Sequence, residues 1–314
     1  MTFSCVFPGQ GAQKVGMMAS LADAYPQVAE TFAEASEALG EDLWKLADRG
    51  PAEQLNQTRN AQPVLLAAQI SIWRVWRQRG GPPPACLAGH SFGEYSALVA
   101  AGALEFSSAV PLVRRRGDLM QQAVGKGVGS MAAVLGLEDA QVREICTQTS
   151  SSDAVVEAAN FNAPGQVVLS GHRPAVERAA EACREAGARR AMLLDVSVPA
   201  HSSLMRAAVD RYAEALEAAE FASPGIPVVN NVDVQTETDP ASIQDALKRQ
   251  LYSPVRWTES ILWMMKQGVN LQIEMGPGKI LTGLGRRIDK SMRGLCLETP
   301  DDLEQALEEA TDAR

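Results

Sequence analysis

Ala85-Cys86-Leu87-Ala88-Gly89-His90-Ser91-Phe92-Gly93-Glu94-Tyr95-Ser96-Ala97-Leu98-Val99-Ala100-Ala101-Gly102 opens with a short apolar run, turns sharply at Gly89–Gly93, and closes with an alanine- and leucine-rich run. That reads as strand, tight turn and helix, with Ser91 at the apex and a glycine two residues to either side. In such an elbow the serine backbone is strained, and side chains at the flanking positions would collide with neighbouring chain. The hydroxyl is left exposed, and the helix start behind it aims backbone N–H groups at whatever the oxygen attacks. The plain alternative is a glycine-bracketed turn with an idle serine; the strand before it and the helix after it favour a nucleophile.

A base near neutral pH is most often an imidazole, and the chain has only three: His90, His172 and His201. His90 adjoins the serine, but neighbours in a sharp turn point apart. His172 follows Ser170-Gly171 at a strand end, in what reads below as a separate lobe. By elimination the role falls to His201, in the loop-like stretch Val198-Pro199-Ala200-His201-Ser202-Ser203.

The 314 residues are 46% hydrophobic and 21% charged, enough for one large domain or a large one with a smaller companion. A net charge of −9 argues against a nucleic-acid partner, which needs a basic face. No apolar run nears the roughly 18 residues of a membrane span, and no secretory signal is visible. Cys5, Cys86, Cys146, Cys183 and Cys296 are scattered and odd in number, with no Cys-x-x-Cys pair. They read as reduced thiols of a cytoplasmic protein, not a disulfide framework or a zinc site.

Outward from the elbow, Thr2–Phe7 reads as a buried strand feeding Pro8-Gly9-Gln10-Gly11. That spacing matches neither the P-loop nor the dinucleotide fingerprint, so a loop lending N–H groups to an oxyanion is the better reading. Residues 20–80 read as helices, the clearest from Ala61 to Arg79 with Pro63 in its first turn. A helix over Ser107–Val124 carries Arg114-Arg115-Arg116, which cannot share one face. Either at least one turns inward or the run is a solvated basic surface.

After the linker-like Gly125–Gly129 the pattern becomes strand Ser130–Leu137, helix Glu138–Thr149, strands Val155–Asn160 and Gln166–Ser170, helix Pro174–Ala186 and strand Arg189–Val196. The order βαββαβ is that of a ferredoxin-like lobe. Asn160–Gln166 reads as its hairpin connection, with the asparagines in turn roles. Beyond it, a helix over His201–Glu220, a strand over Ile226–Val232, a helix over Asp239–Leu251, a strand over Gly268–Glu274 and a helix over Glu304–Thr311 resume the first pattern. The expected fold is a large α/β-hydrolase-like lobe with a mostly parallel sheet, residues 1–127 and 198–314, plus an inserted small ferredoxin-like lobe, residues 128–197. The cleft between them is the natural ligand site.

Phe7-Pro8-Gly9-Gln10-Gly11, Gly89-His90-Ser91-Phe92-Gly93-Glu94-Tyr95, Arg116-Gly117, Asn160–Gln166, His201, Arg249-Gln250-Leu251 and Gly276-Pro277-Gly278-Lys279 occur in that order across nearly the whole length. Together they resemble the malonyl-CoA:acyl-carrier-protein transacylases, the stand-alone acyltransferases of fatty acid synthesis and their trans-acting relatives in polyketide synthesis. The resemblance implies ping-pong transfer. Ser91, activated by His201, takes malonyl from malonyl-CoA, and the malonyl-serine ester passes it to the phosphopantetheine thiol of an acyl carrier protein. It implies backbone N–H groups of Gln10 and Phe92 as oxyanion donors, Arg116 as a bidentate clamp on the malonyl carboxylate, and a backbone carbonyl at Gln250 orienting the imidazole. An acetyl group would leave the guanidinium unpaired, which is costly. Met120, Asn160 and Asn162 are further candidates for lining the substrate site. No third acidic member is expected; Asp195, Asp210 and Asp233 remain loose candidates for surface or structural roles. No permanently bound cofactor and no metal are implied, coenzyme A entering only as thioester substrate, and a cytoplasmic monomer is expected.

Two positions depart from the family pattern. Phe92 stands where leucine or isoleucine is common, which suits an unbranched malonyl group, and Ala200 stands where serine is frequent. Two other readings compete: an editing acyl hydrolase releasing the same ester to water, and a non-catalytic carrier-protein docking partner. Arg116 speaks against the first, and the joint presence of Ser91, His201, Arg116 and Gln250 against the second.

Overall fold

The computed structural model describes residues 2–196 and 198–312. Among these residues nine strands divide between two sheets: β1 (Thr2–Phe7), β2 (Cys86–Gly89), β3 (Gly129–Leu135), β4 (Val156–Ala163), β5 (Gln166–His172), β6 (Arg190–Leu193), β7 (Val228–Val229), β8 (Val269–Glu274) and β9 (Arg293–Cys296). The first sheet runs β7-β2-β1-β8-β9, and every pairing in it is parallel. Its central strands are buried along nearly their whole length, as parallel strands covered on both faces must be, which is why Phe3–Phe7 and Cys86–Gly89 read as continuous runs rather than alternations. Phe7 lies level with Gly89 and Val6 with Glu274, so the carboxyl ends of β1, β2 and β8 come out side by side. Ligands of open parallel sheets bind at that edge.

The second sheet, β4-β5-β3-β6, is antiparallel throughout. In the lobe's own numbering that is order 2-3-1-4, the ferredoxin-like arrangement. Helices Asp139–Thr149 and Arg173–Glu185 cover one face and close a separate core around Val134, Val142, Leu169, Val176 and Cys183. The lobes are stitched along the free edge of β4, the outer strand of its sheet. Phe161 N–H donates to Val255 O, and Val255 N–H donates to Ala159 O, both at 2.9 Å.

The helix Thr58–Gln78 is the spine of the large lobe, buried without interruption from Ala61 to Trp73. It begins a turn before the expected Ala61, because Gln57 O accepts from both Asn60 and Ala61 N–H. Pro63 therefore sits inside the helix rather than in its first turn. Its missing donor costs one ladder bond, and burial of the helix on all sides outweighs that loss.

Other expectations need correction. Asn160–Gln166 is not a loop: β4 continues through Ala163, with register shifts after Ala158 and Phe161, and only Pro164-Gly165 turns. The helix expected over His201–Glu220 is a loop at His201, a 3₁₀ segment Ser203–Ala208 and an α-helix Val209–Ala218. The strand expected over Ile226–Val232 pairs only through Val228–Val229, since the chain must bend at Asn230-Asn231 to reach the elbow. Helix Trp257–Lys266 and the edge strand β9 were not anticipated; β9 is four residues long and half exposed, so it carries almost no hydrophobic signature. The outer lobe boundary drawn at residue 197 and the ends drawn at 1 and 314 lie outside the described residues.

Candidate active site

The elbow follows from two close approaches. A Cβ on Gly89 would stand 1.9 Å from the Gly93 carbonyl carbon, and one on Gly93 would stand 2.2 Å from Phe7 O. Only glycine permits strand, turn and helix to fold back so tightly. The apex residue takes the strain: Ser91 has φ 54°, in the left-handed region that non-glycine residues avoid. Asn231 holds that conformation. Its Oδ1 accepts from Ser91 N–H at 2.7 Å, while its amide donates to Gly89 O at 2.7 Å.

His201 is strained in the same way, at φ 61°. Its backbone N–H donates to Leu251 O at 3.0 Å. The ring spans two partners, Nδ1 lying 2.8 Å from Gln250 O and Nε2 lying 2.7 Å from Ser91 Oγ. A carbonyl can only accept, so the ring proton belongs on Nδ1, and Nε2 is left as acceptor for the serine hydroxyl. Burial, then the positive charge of Arg116, lowers its pKa to about 3. The imidazole is therefore neutral at physiological pH.

Of the three adjacent arginines two turn inward. Arg114 pairs with Glu41 and donates to Asn60 Oδ1. Arg116 is 1% exposed and, among the described residues, forms no ion pair within reach. Its Nη2 donates to Gln250 Oε1 at 2.9 Å and approaches Ser91 Oγ at 3.4 Å. The face of Tyr95 lies 5.6 Å from the guanidinium carbon, and Nε has no partner. A buried guanidinium so placed calls for an anion beside the serine oxygen.

These groups border a cavity of about 250 Å³ between the lobes. Gln10, Ser91, Phe92, Arg116, Met120 and His201 line it from the large lobe, and Asn160 and Asn162 from the small one. Gln250 stands behind that wall, fully buried. The backbone N–H groups of Gln10 and Phe92 have no acceptor among the described residues. The lining also includes apolar side chains, among them Leu194, Val196, Ile280 and Leu284.

Neither of the other histidines reaches Ser91 Oγ. His90 points away, its Nε2 lying 2.8 Å from Asn162 Oδ1, and His172 Nδ1 accepts from Val155 N–H. No acid stands at His201 Nδ1. Asp233 takes Arg249 through both oxygens, at 2.6 and 2.9 Å, while Asp195 and Asp210 are exposed. Two members of the site escaped the sequence reading. Asn231 looks like any strand-end asparagine. Glu94 does carry a sequence signal, as the lone charge in an otherwise uncharged and largely buried helix.

The sequence profile of the acyl transferase domain matches residues 4–295. The chain belongs to that family. It is 55% identical over 305 residues to the malonyl CoA-acyl carrier protein transacylase of Salmonella typhimurium, covering 97% of this chain and 98% of the relative. It is 42% identical to the enzyme of that name from Bacillus subtilis, over 96% of this chain and 95% of the relative. Among solved structures, an acyl carrier protein S-malonyltransferase from Vibrio cholerae superposes with a TM-score of 0.95 at 56% identity, covering 97% of this chain and 99% of the other. A malonyl-transacylase in complex with a type II polyketide acyl carrier protein superposes with a TM-score of 0.97 at 50% identity, covering 98% of this chain and all of the other. In an acyltransferase, a serine bonded to a neutral imidazole can form an acyl ester, and a guanidinium beside it can take an acidic acyl group.

Proposed function

We propose that this chain transfers a malonyl group from malonyl-CoA to the phosphopantetheine thiol of an acyl carrier protein, through a malonyl ester on Ser91. His201 Nε2 takes the Ser91 proton as Oγ attacks the thioester carbonyl. The N–H groups of Gln10 and Phe92 stabilise the oxyanion. Collapse breaks the C–S bond, and the departing coenzyme A sulfur takes the proton back from His201. The carrier thiol then gives its proton to His201 and attacks the ester, and Ser91 leaves with that proton. The chemistry needs no permanently bound cofactor, coenzyme A serving only as the thioester substrate.

One observation carries the acyl assignment: the buried guanidinium of Arg116, with an unpartnered Nε, 3.4 Å from the serine oxygen. A malonyl carboxylate would complete it, and an acetyl group would not. The names of the relatives agree. In this reading residues 1–127 and 198–314 form the catalytic lobe and 128–197 the inserted one. Met120, Asn160 and Asn162 line the acyl site. In this reading the working unit is a cytoplasmic monomer, and the five free thiols agree with a reducing compartment.

The test is carrier loading followed by intact mass, from malonyl-CoA and from acetyl-CoA. Malonyl should load well and acetyl poorly, and Arg116→Ala should lower malonyl transfer about a hundredfold, the size expected for a lost bidentate charged pair. Thioester consumed while the carrier stays unloaded, with Arg116→Ala of little consequence, would mark a hydrolase instead.

A further inference from the structure

The mechanism above leaves one buried acid unused. Glu94 opens the helix Gly93–Ala100, where Gly93–Leu98 is otherwise uncharged and buried. It is 3% exposed and forms no ion pair among the described residues. Burying a carboxylate is costly unless its lone pairs are used. Here Oε2 accepts from Gln250 Nε2 at 2.8 Å and from Asn231 N–H at 3.0 Å.

Those two partners are the residues that hold the site. Asn231 fixes the strained backbone of Ser91. Gln250 has a distinct job at each end. Its backbone carbonyl takes His201 Nδ1, while its side-chain Oε1 accepts from Arg116 Nη2. Its Nε2 donates to Ser91 O at 3.0 Å as well as to Glu94.

We propose that Glu94 is a positioning residue for acyl selection, its carboxylate fixing which end of the Gln250 amide faces Arg116. The proposal rests on the reading that Arg116 receives the acyl carboxylate. Burial pushes the Glu94 pKa up to about 7, but in either protonation state Oε2, already accepting from Asn231 N–H, can take only a donor and so draws the NH₂ end of the amide toward itself. Ser91 O, also an acceptor, takes the second N–H. The oxygen end is then the only part of the amide left to meet the guanidinium, itself donor-only. Turned over, the amide would set NH₂ against guanidinium N–H, and Oε1 against both the carboxylate and Ser91 O. The assignment of amide oxygen and nitrogen thus follows from chemistry at three contacts.

Glu94→Gln keeps the shape and loosens the constraint at one of its three contacts. A glutamine at 94 can donate as well as accept, so one of the three contacts no longer fixes the Gln250 amide, and the acceptor facing Arg116 is held less firmly. A charge effect alone would act oppositely, because removing a negative charge near Arg116 should strengthen its hold on a carboxylate. The sign of the change separates the two.

The experiment loads Ser91 from malonyl-CoA and acetyl-CoA in single turnover, read by intact mass. It compares the unmodified protein with Arg116→Ala, Glu94→Gln and the double variant. Glu94→Gln should lower the malonyl-to-acetyl ratio at least about tenfold, the scale of one charged hydrogen bond. In the Arg116→Ala background it should add nothing, since the effect runs through the clamp. A ratio unchanged or raised by Glu94→Gln, or a full effect persisting without Arg116, would overturn the proposal. No malonyl preference in the unmodified protein, or a preference surviving Arg116→Ala, would overturn the underlying reading of Arg116 instead. If Glu94→Gln does not fold, Gln250→Leu keeps the carbonyl for His201 and removes only the amide. The same fall is expected there, and an unchanged ratio would count against the proposal.

Discussion

The two walls of the cavity are built on different terms. On the large-lobe side the reacting serine is held at each of its polar atoms. Ser91 is held at its N–H by Asn231, at its carbonyl by Gln250 and at its hydroxyl by His201. Both Ser91 and His201 sit in the left-handed region, a cost that persists only where the surroundings enforce it. On the small-lobe side the wall is ordinary strand. Asn160 and Asn162 belong to β4, and among the described residues the one side-chain bond from these two to the elbow joins Asn162 to His90 rather than to Ser91. Chemistry is thus concentrated on one lobe, while the other closes and shapes the space.

If that division holds, damage should be strongly unequal between the walls. The largest loss is expected from His201→Ala, about a thousandfold in the rate of Ser91 loading, as for removal of a general base. The same residue sets a pH expectation, best read with acetyl-CoA so that the clamp plays no part. Burial and Arg116 disfavour the imidazolium, so the pKa falls from 6.5 to about 3 and the base form survives acidification. From about pH 8 to about pH 6, where an unperturbed imidazole would lose most of its base form, loading should stay flat. A fall centred near pH 6.5 would show that His201 titrates normally. The smallest effect is expected on the opposite wall. Asn162→Ala removes one hydrogen bond from His90, about 1 kcal/mol, and should slow loading about fivefold or less. A loss rivalling that of His201→Ala would erase the distinction between the lobes.

The same contrast governs what the sequence could reveal. The small lobe is legible because its strands and helices meet their neighbours within one lobe, and a change of pattern marks each turn. The elbow is legible because its glycines are needed for local reasons. The constraints on Ser91 are not local. Asn231 lies 140 residues away and Gln250 lies 159 away, and nothing in either neighbourhood points back to residue 91. The two-residue pairing of β7 is invisible for the same reason, since it exists to deliver Asn231 rather than to satisfy its own sequence. Asparagine favours turns, so the sequence alone points Asn160 and Asn162 to turn roles. In the fold they are strand residues whose side chains face the cavity. The inward turn of Arg114 and Arg116 was foreseeable from helical geometry, but which arginine met an acid and which met the serine required the packed structure.

The most direct test is to mix the protein with malonyl-CoA in the absence of carrier, quench, and map the adduct by peptide mass. The expected result is a malonyl ester on the peptide containing Ser91, absent in Ser91→Ala, persisting without carrier and discharged when the carrier thiol is added. An adduct elsewhere, no adduct, or an ester lost equally fast to water with and without carrier would contradict transfer through Ser91.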